Sequence, residues 1–152
     1  MNVDDRDRTL LDQLAIRETL LRYARGIDRR DWPVMLSVFT EDVHAVFQGI
    51  DLGRDRQAIL DYINAQAANF EILSSVHALN NMHIDVREAT ASAETTGIGY
   101  LTYRTQSGAM LRMRSLRYVD QLVRSGNGQW LIEERILTND WEVQLPAQTF
   151  DR

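Results

Sequence analysis

The chain has 152 residues, about the length of one ordinary domain, and its formal net charge of −5 argues against nucleic acid or an anionic membrane as a partner. All 17 basic side chains are arginine, which excludes a Schiff base on lysine, and the absence of cysteine excludes thiol nucleophiles, thiolate metal sites and disulfides. Acid–base chemistry near neutral pH must therefore come from the three histidines, from carboxylates or from tyrosines.

The first part of the chain predicts three helices. An amphipathic helix is expected over residues 7–28, because apolar side chains recur there every three or four positions: Leu10, Leu14, Leu20, Leu21, Ala24 and Ile27. A short second helix is expected to begin at Asp31, which can cap it, with Pro33 in its first turn. The third predicted helix covers residues 56–68.

Strands are predicted between and after these helices. Residues 43–47 form the first, followed by a glycine-containing turn at 48–53. After residue 70 come four long extended stretches separated by turn residues: 76–86, 91–105, 109–123 and 130–142. Helices followed by a meander of long antiparallel strands predict an α+β domain, with the helices covering one face of a curved sheet and a small-molecule pocket between them.

The sequence shows no sign of a membrane segment or a signal peptide. No apolar run approaches the roughly 18 residues of a membrane-spanning helix. The first ten residues, MNVDDRDRTL, are acidic and lack an apolar core. We therefore expect a cytoplasmic protein.

Asp28 is the most informative polar residue. Four positions after Ala24, it lies beside the inward stripe of the first helix, where a carboxylate needs a partner. Tyr23 lies close to the same stripe, and its hydroxyl could polarise a carbonyl or assist a leaving group. Each also has a purely structural interpretation: Asp28 as an exposed helix end or a partner of Arg29 or Arg30, and Tyr23 as a core aromatic ring.

Two further candidates lie on predicted strands. His77 opens the first long strand, where it is either a general base or a histidine satisfied in the core. Arg135 lies in the last stretch, where its neighbours alternate poorly. It is therefore either a surface ion-pair partner or an arginine that reaches the pocket and stabilises negative charge.

Other clusters carry weaker signals. His83 and Asp85 share a strand face and could supply two metal ligands, but no third ligand is evident, so we expect no metal site. Arg112 and Arg114 share a face, whereas Arg117 alternates to the other, so the three form no continuous basic stripe. In an acidic chain this favours cross-strand pairing over nucleic-acid binding.

The order of the candidate residues along the chain is more specific than any one of them. The first helix ends in Tyr23-x4-Asp28, a Trp-containing short helix follows, His77 opens a long strand, and Trp130-x4-Arg135 lies near the end. This pattern, over about residues 16–141, resembles the SnoaL-like branch of the nuclear-transport-factor-2-like superfamily. The resemblance implies a cone-shaped fold, in which three helices pack into a strongly curved antiparallel sheet, in agreement with the α+β prediction.

The resemblance also implies roles for the candidates. Members with an Asp–His dyad include scytalone dehydratase, bile-acid 7α-dehydratase and hexachlorocyclohexane dehydrochlorinase. By similarity, Asp28 would be the dyad carboxylate, His77 the general base and Arg135 a pocket arginine. At the position of Tyr23, the dehydrochlorinase carries lysine, whereas the bile-acid dehydratase carries tyrosine, as this chain does. This difference points to dehydration or enolisation of an oxygenated substrate.

We therefore expect one SnoaL-like domain over 1–152 that is a lyase of the dehydratase type, with no cofactor or metal, acting on a bulky, mostly apolar, oxygenated small molecule. A polyketide cyclase or ketosteroid-type isomerase with the same dyad, and a non-catalytic ligand-binding or assembly module, are the alternatives. The predicted pocket wall comprises Leu20, Trp32, Met35, Phe39, Ile63 and Met113. The resemblance implies a homodimer or homotrimer, with the tail 144–152 as a candidate interface segment.

Overall fold

The computed structural model describes residues 3–150, which form three helices and seven strands. The helices are α1 (Val3–Arg29), α2 (Trp32–Leu36) and α3 (Arg56–Ala67). The strands are β1 (Phe39–Phe47), β2 (Ile50–Arg54), β3 (Glu71–Arg87), β4 (Thr90–Thr105), β5 (Gly108–Arg124), β6 (Trp130–Thr138) and β7 (Glu142–Pro146). The predicted α+β class is confirmed.

The strands form one curved, open sheet in the order β2-β1-β6-β5-β4-β3, and β7 pairs with β5. Only the pair β1 and β6 is parallel among the described strands, and the other neighbours are antiparallel. The strand β5 is long enough to pair with β6 along residues 117–124 and with β7 along 110–114. Helices α1 and α3 cover the inner face of this curved sheet.

Helix α1 packs on the sheet along a stripe that differs from the predicted one, because Leu10, Leu14 and Leu21 are exposed. Asp12 accepts a hydrogen bond from the indole N–H of Trp130 at 3.2 Å, and Gln13 donates to the carbonyl of Ile84 at 3.2 Å. These contacts turn this side of the helix toward the sheet. Leu10 and Leu14 are therefore 56% and 63% exposed.

The second half of α1 lies in the hydrophobic core. Ile16, Leu20 and Tyr23 are spaced three or four positions apart and bury almost completely. Gly26 allows the short helix α2 to approach, because a Cβ at this position would lie 2.7 Å from the Cβ of Met35. The core is completed by side chains of α2, α3 and the sheet: Met35, Val38, Phe39, Val43, Phe47, Ile59, Leu116, Leu122 and Ile132.

The strands β1 and β3 begin at Phe39 and Glu71, several residues before the predicted starts at 43 and 76. Two other stretches differ in their course. The expected turn at 48–53 is a tight hairpin, in which Gln48 and Gly49 take positive φ angles of 53° and 78° and residues 50–54 pair with β1. The expected strand 130–142 ends at Thr138, because the Ser115 hydroxyl accepts the backbone N–H groups of residues 140 and 141 at 2.6 and 3.2 Å. The chain then returns to β5 as β7.

The predicted tail therefore begins inside the sheet: residues 144–146 belong to β7, and residues 151 and 152 lie outside the described residues. Across the described chain, no helix is long and apolar enough to cross a membrane.

Candidate active site

Asp28 and His77 meet at one side of a cavity between the helices and the sheet. Asp28 lies in the last turn of α1, and His77 lies on the inner face of β3. Their closest atoms, Asp28 Oδ1 and His77 Nδ1, are 2.6 Å apart. The side chains are only 21% and 17% exposed, so the pair is largely shielded from water.

Two more donors hold the carboxylate in place. The backbone N–H of His77 donates to Asp28 Oδ2 at 2.9 Å, and the hydroxyl of Ser75 donates to Oδ1 at 3.0 Å. Partial burial by itself raises the pKa of Asp28, but the hydrogen bonds and the charge of His77 and the hydroxyl of Ser75 outweigh it. The net pKa is therefore below its ordinary value. Asp28 is ionised at neutral pH.

This geometry fixes the tautomer of His77. An ionised carboxylate can only accept, so the proton of the neutral imidazole lies on Nδ1 and is donated to Asp28. The second ring nitrogen, Nε2, then carries a free lone pair. A histidine oriented in this way by a carboxylate can remove a proton from a substrate, and the carboxylate stabilises the imidazolium that forms.

The cavity beside the dyad holds about 1070 Å³ of space, its open mouth included. His77 and Tyr23 line it, together with polar side chains of β5 and α3. Most of its wall is apolar: Ile27, Trp32, Phe47, Tyr62, Ile63, Ile72, Leu101, Leu116 and Leu137.

Tyr23 and Tyr118 form the buried floor of the cavity. Their rings pack edge to face, with centroids 5.7 Å apart. Burial raises the pKa of Tyr23, although the charge of Arg135 opposes this, and burial also raises the pKa of Tyr118. Both hydroxyls therefore keep their protons at neutral pH and can donate hydrogen bonds.

Arg135 does not line the cavity, in contrast to the expectation for a pocket arginine. Its guanidinium is buried and makes a two-pronged ion pair with Asp120, with both N···O distances 2.7 Å. It also lies 4.1 Å and 4.4 Å from the ring centres of Tyr23 and Tyr118. Burial lowers the pKa of Arg135, but Asp120 more than compensates. The guanidinium therefore packs against both tyrosine rings and helps to hold them in place.

The structure places the residues of the predicted pocket wall in three different environments. Trp32 and Ile63 line the cavity. Leu20, Met35 and Phe39 lie instead in the core, where α1 and α2 pack on the sheet. Met113 is on the outer face of β5, because its neighbours at 112 and 114 point into the cavity and side chains alternate along a strand.

Ser75 and Tyr118 were not predicted as parts of the site, although strand alternation places both on the inner face of the sheet. Ser75 lies two positions before His77, hence on the same face, where it reaches Asp28. Tyr118 lies four and six positions after Arg114 and Arg112, again on the inner face. The two arginines were expected to make cross-strand pairs, and Arg114 does so, with Glu142 of β7 at 2.7 Å.

The other two histidines lie outside this cavity. His44 is 3.0 Å from Asp51 and 3.6 Å from Glu134 on the exposed part of β1, and His83 lies on the outer face of β3 with Asp85. Within residues 5–150, no group of three or more His, Asp or Glu side chains is arranged to hold a metal ion.

The chain thus combines an α+β fold with an Asp–His pair beside a cavity. The model of the SnoaL-like domain matches residues 8–136, and the chain belongs to this family. None of the curated proteins matches the chain significantly.

Solved structures with the same fold cover most of the chain. A type 2 hexachlorocyclohexane dehydrochlorinase has a TM-score of 0.80 at 17% identity, over 97% of each chain. A protein provisionally called a scytalone dehydratase, from Novosphingobium aromaticivorans, has a TM-score of 0.73 at 19% identity, over 93% of each chain. A protein of unknown function from Mycobacterium tuberculosis has 28% identity and a TM-score of 0.69, over 88% of this chain and 75% of that chain.

Proposed function

We propose that this protein is a lyase that eliminates water from an oxygenated, mostly apolar small molecule, with His77 as the general base. The observation that carries the proposal is the 2.6 Å contact between His77 Nδ1 and Asp28, reinforced by two further hydrogen bonds, beside an open cavity. Solved structures that share the fold include a dehydrochlorinase and a protein called a dehydratase, which agrees with elimination chemistry.

In the proposed reaction, His77 Nε2 takes a proton from the carbon next to a carbonyl group. The electron pair left on carbon forms the new double bond as a hydroxyl group leaves from the neighbouring carbon. The proton that the leaving hydroxyl needs to become water comes from the imidazolium or from a tyrosine hydroxyl that is re-protonated by it. Base catalysis of this kind contributes about 10²–10⁴-fold, so stabilisation of the developing charge must supply much of the remainder.

Tyr23 supplies this stabilisation in the proposal. It lines the cavity and keeps its proton, so it can donate a hydrogen bond to the enolate or departing oxygen. Arg135 acts through Tyr23 and Tyr118, whose rings it contacts, rather than on the substrate. It is therefore a positioning residue in the proposed mechanism.

A non-catalytic binding module is less consistent with these contacts. Such a protein would be expected to fill its cavity with side chains, or to pair Asp28 with an arginine. Here the cavity is open and the partner of Asp28 is His77. A cyclase or isomerase would use the same first step, so the fate of the substrate after proton removal distinguishes it from a lyase.

The proposal can be tested with a panel of β-hydroxy ketones built on one, two or three fused rings. Mass spectrometry of the products should show loss of one water with the wild-type protein, and His77→Gln should abolish it without changing the circular dichroism spectrum. A product of unchanged mass would indicate an isomerase. Equal turnover by wild type and His77→Gln would rule out His77 as the base.

We also propose that the chain forms the homodimer or homotrimer that its family resemblance implies. Apolar side chains on the outer face of the sheet are exposed, among them Val76, Val119 and Ile136, which is compatible with a subunit contact. Light scattering after size-exclusion chromatography should give a multiple of the 17.5 kDa chain mass. A mass of one chain would contradict this part of the proposal.

A further inference from the structure

The cavity carries a strong positive charge that proton abstraction does not explain. Three arginines line it, Arg112 and Arg114 from β5 and Arg30 from the junction of α1 and α2. None of the lining residues is acidic within the described part of the chain, although the whole protein carries a net charge of −5. Asp28 and Glu142 contact lining residues but do not line the cavity themselves.

Arg112 and Arg114 differ in how their charges are balanced. Arg114 donates to Glu142 at 2.7 Å, and Glu142 also accepts a hydrogen bond from Gln144 at 2.8 Å. Arg112 has no ion pair with any described residue, and its Nε is buried without a hydrogen-bond partner. Its guanidinium lies 5.5 Å from the ring centre of Phe70.

A half-buried guanidinium in this position is short of a counter-charge. Burial, and then the neighbouring charge of Arg114, lower the pKa of Arg112 below its ordinary value, and the opposing charge of Glu142 only partly offsets them. The group nevertheless stays protonated, because arginine is not deprotonated in proteins. An anion that enters the cavity would therefore supply a counter-charge to the guanidinium.

The sheet register places these arginines at a defined distance from the dyad. His77, Gly99 and Arg114 are direct cross-strand partners and form one row across β3, β4 and β5. Ser75, Leu101 and Arg112 form the next row on the same face. Adjacent strands are about 4.8 Å apart, so the backbone of the arginine strand lies roughly 10 Å from that of His77.

The position between His77 and Arg114 has no side chain. A Cβ on Gly99 would meet its nearest neighbours, the side chains of Leu116 and Arg114, at 3.5–3.6 Å, which is ordinary van der Waals contact. Packing therefore does not demand glycine here. Because Gly99 has no side chain, a flat molecule can extend along this part of the cavity wall from the dyad to the arginines.

We propose that the substrate carries a carboxylate, which Arg112 binds with help from Arg114, at the end of the cavity away from the carbon that His77 deprotonates. The planar fork of a guanidinium matches the two oxygens of a carboxylate. The roughly 10 Å between the two strands corresponds to an apolar framework of about two fused rings between the reacting carbon and the anionic group. This inference rests on the proposed function for the site, but anion binding itself needs no turnover.

The experiment compares a carboxylate with a neutral molecule of the same shape, 2-naphthoate and 2-naphthamide, by isothermal titration calorimetry on the full chain. The wild-type protein should bind 2-naphthoate at least about tenfold more tightly, as expected for charge-assisted hydrogen bonds. Arg112→Gln should remove this preference. The matched control is Arg117→Gln, on the same strand but facing outward in an ion pair with Glu94, and it should keep the preference.

Two further measurements distinguish failure of the proposed lyase activity from failure of the proposed carboxylate site. Binding of 2-naphthoate to the wild-type protein needs no turnover, so a failed elimination assay with intact naphthoate binding would refute the lyase and not the carboxylate site. If Arg112→Gln does not fold, amide chemical shifts of the wild-type protein decide: addition of 2-naphthoate should shift the signals of Leu101, Arg112 and Arg114. Equal affinity for the two probes, equal behaviour of the two arginine variants, or shifts confined to other residues would overturn the inference.

Discussion

Replacing Asp28 with asparagine keeps the shape of the dyad and removes its charge. Asp28 Oδ1 accepts from both His77 Nδ1 and Ser75, and Oδ2 accepts from the backbone N–H of His77. Asparagine has one acceptor oxygen and one NH₂ group, so it cannot satisfy all of these donors. In one orientation of the amide, its NH₂ group faces the backbone N–H of His77, so that two donors oppose each other. In the other orientation, its NH₂ group faces His77 Nδ1 and forces the proton of the imidazole onto Nε2.

The expected loss of activity follows from the tautomer. With the proton on Nε2, the nitrogen that should accept the substrate proton is blocked, and the imidazolium loses its counter-charge. A general base contributes about 10²–10⁴-fold, and the corresponding change in the Ser-His-Asp proteases costs about 10⁴-fold in kcat. We therefore expect Asp28→Asn to reduce kcat by about 10²–10⁴-fold, equivalent to roughly 3–5 kcal/mol.

Steady-state kinetics on a substrate from the β-hydroxy ketone panel measures this effect. The matched control is Asp51→Asn, since Asp51 also contacts a histidine, His44, at 3.0 Å, but on the exposed surface away from the cavity. The control should retain wild-type kcat. If Asp28→Asn reduced kcat less than about threefold in a folded protein, the reasoning on the tautomer would be refuted.

Four other outcomes are expected. The pKa of Asp28 is lowered in the folded protein, so the ionised carboxylate stabilises the fold above the unfolded-state pKa, and this stabilisation is lost as the pH falls through the folded-state pKa. The difference in free energy of unfolding between wild type and Asp28→Asn, measured by urea unfolding, should therefore shrink below about pH 4. Tyr23→Phe keeps the ring contacts and should lower kcat about 10²-fold in steady-state kinetics. Arg135→Met leaves Asp120 buried without its cation, so urea unfolding should show a loss of about 3–5 kcal/mol, and equal stability would contradict the ion pair. Gly97→Ala places a Cβ 2.4 Å from a backbone oxygen and should destabilise by about 1–3 kcal/mol, whereas Gly99→Ala, at 3.5 Å, should not.

The sequence predicted the helices and the long strands because their periodicities are strong and uninterrupted. It predicted the structure less well where a single side chain sets the end of a strand or the orientation of a helix. The break between β6 and β7 depends on the Ser115 hydroxyl, which lies on another strand and accepts the N–H groups of Asp140 and Trp141. The first half of α1 turns toward the sheet through Asp12 and Gln13, which have no apolar signal.

Some residues of the candidate site could likewise be identified from the sequence, and others could not. The order of Asp28 and His77 along the chain identified a pair that the fold brings to hydrogen-bonding distance. The location of Arg135 could not be predicted, because its partner Asp120 is set by the register between β5 and β6. Side chains alternate between the two faces of β5, so Arg112 faces the cavity and Met113 faces outward. A shift of the strand register by one residue would reverse this assignment.

The central claim is that the Asp28–His77 pair removes a proton from carbon. Hydrogen–deuterium exchange at the carbon next to the carbonyl group of a bound ketone, followed by NMR in D₂O, detects this step whether elimination, cyclisation or isomerisation follows. The wild-type protein should accelerate the exchange, and His77→Gln and Asp28→Asn should each reduce it by about 10²-fold or more. Exchange at the wild-type rate in folded His77→Gln would contradict the account.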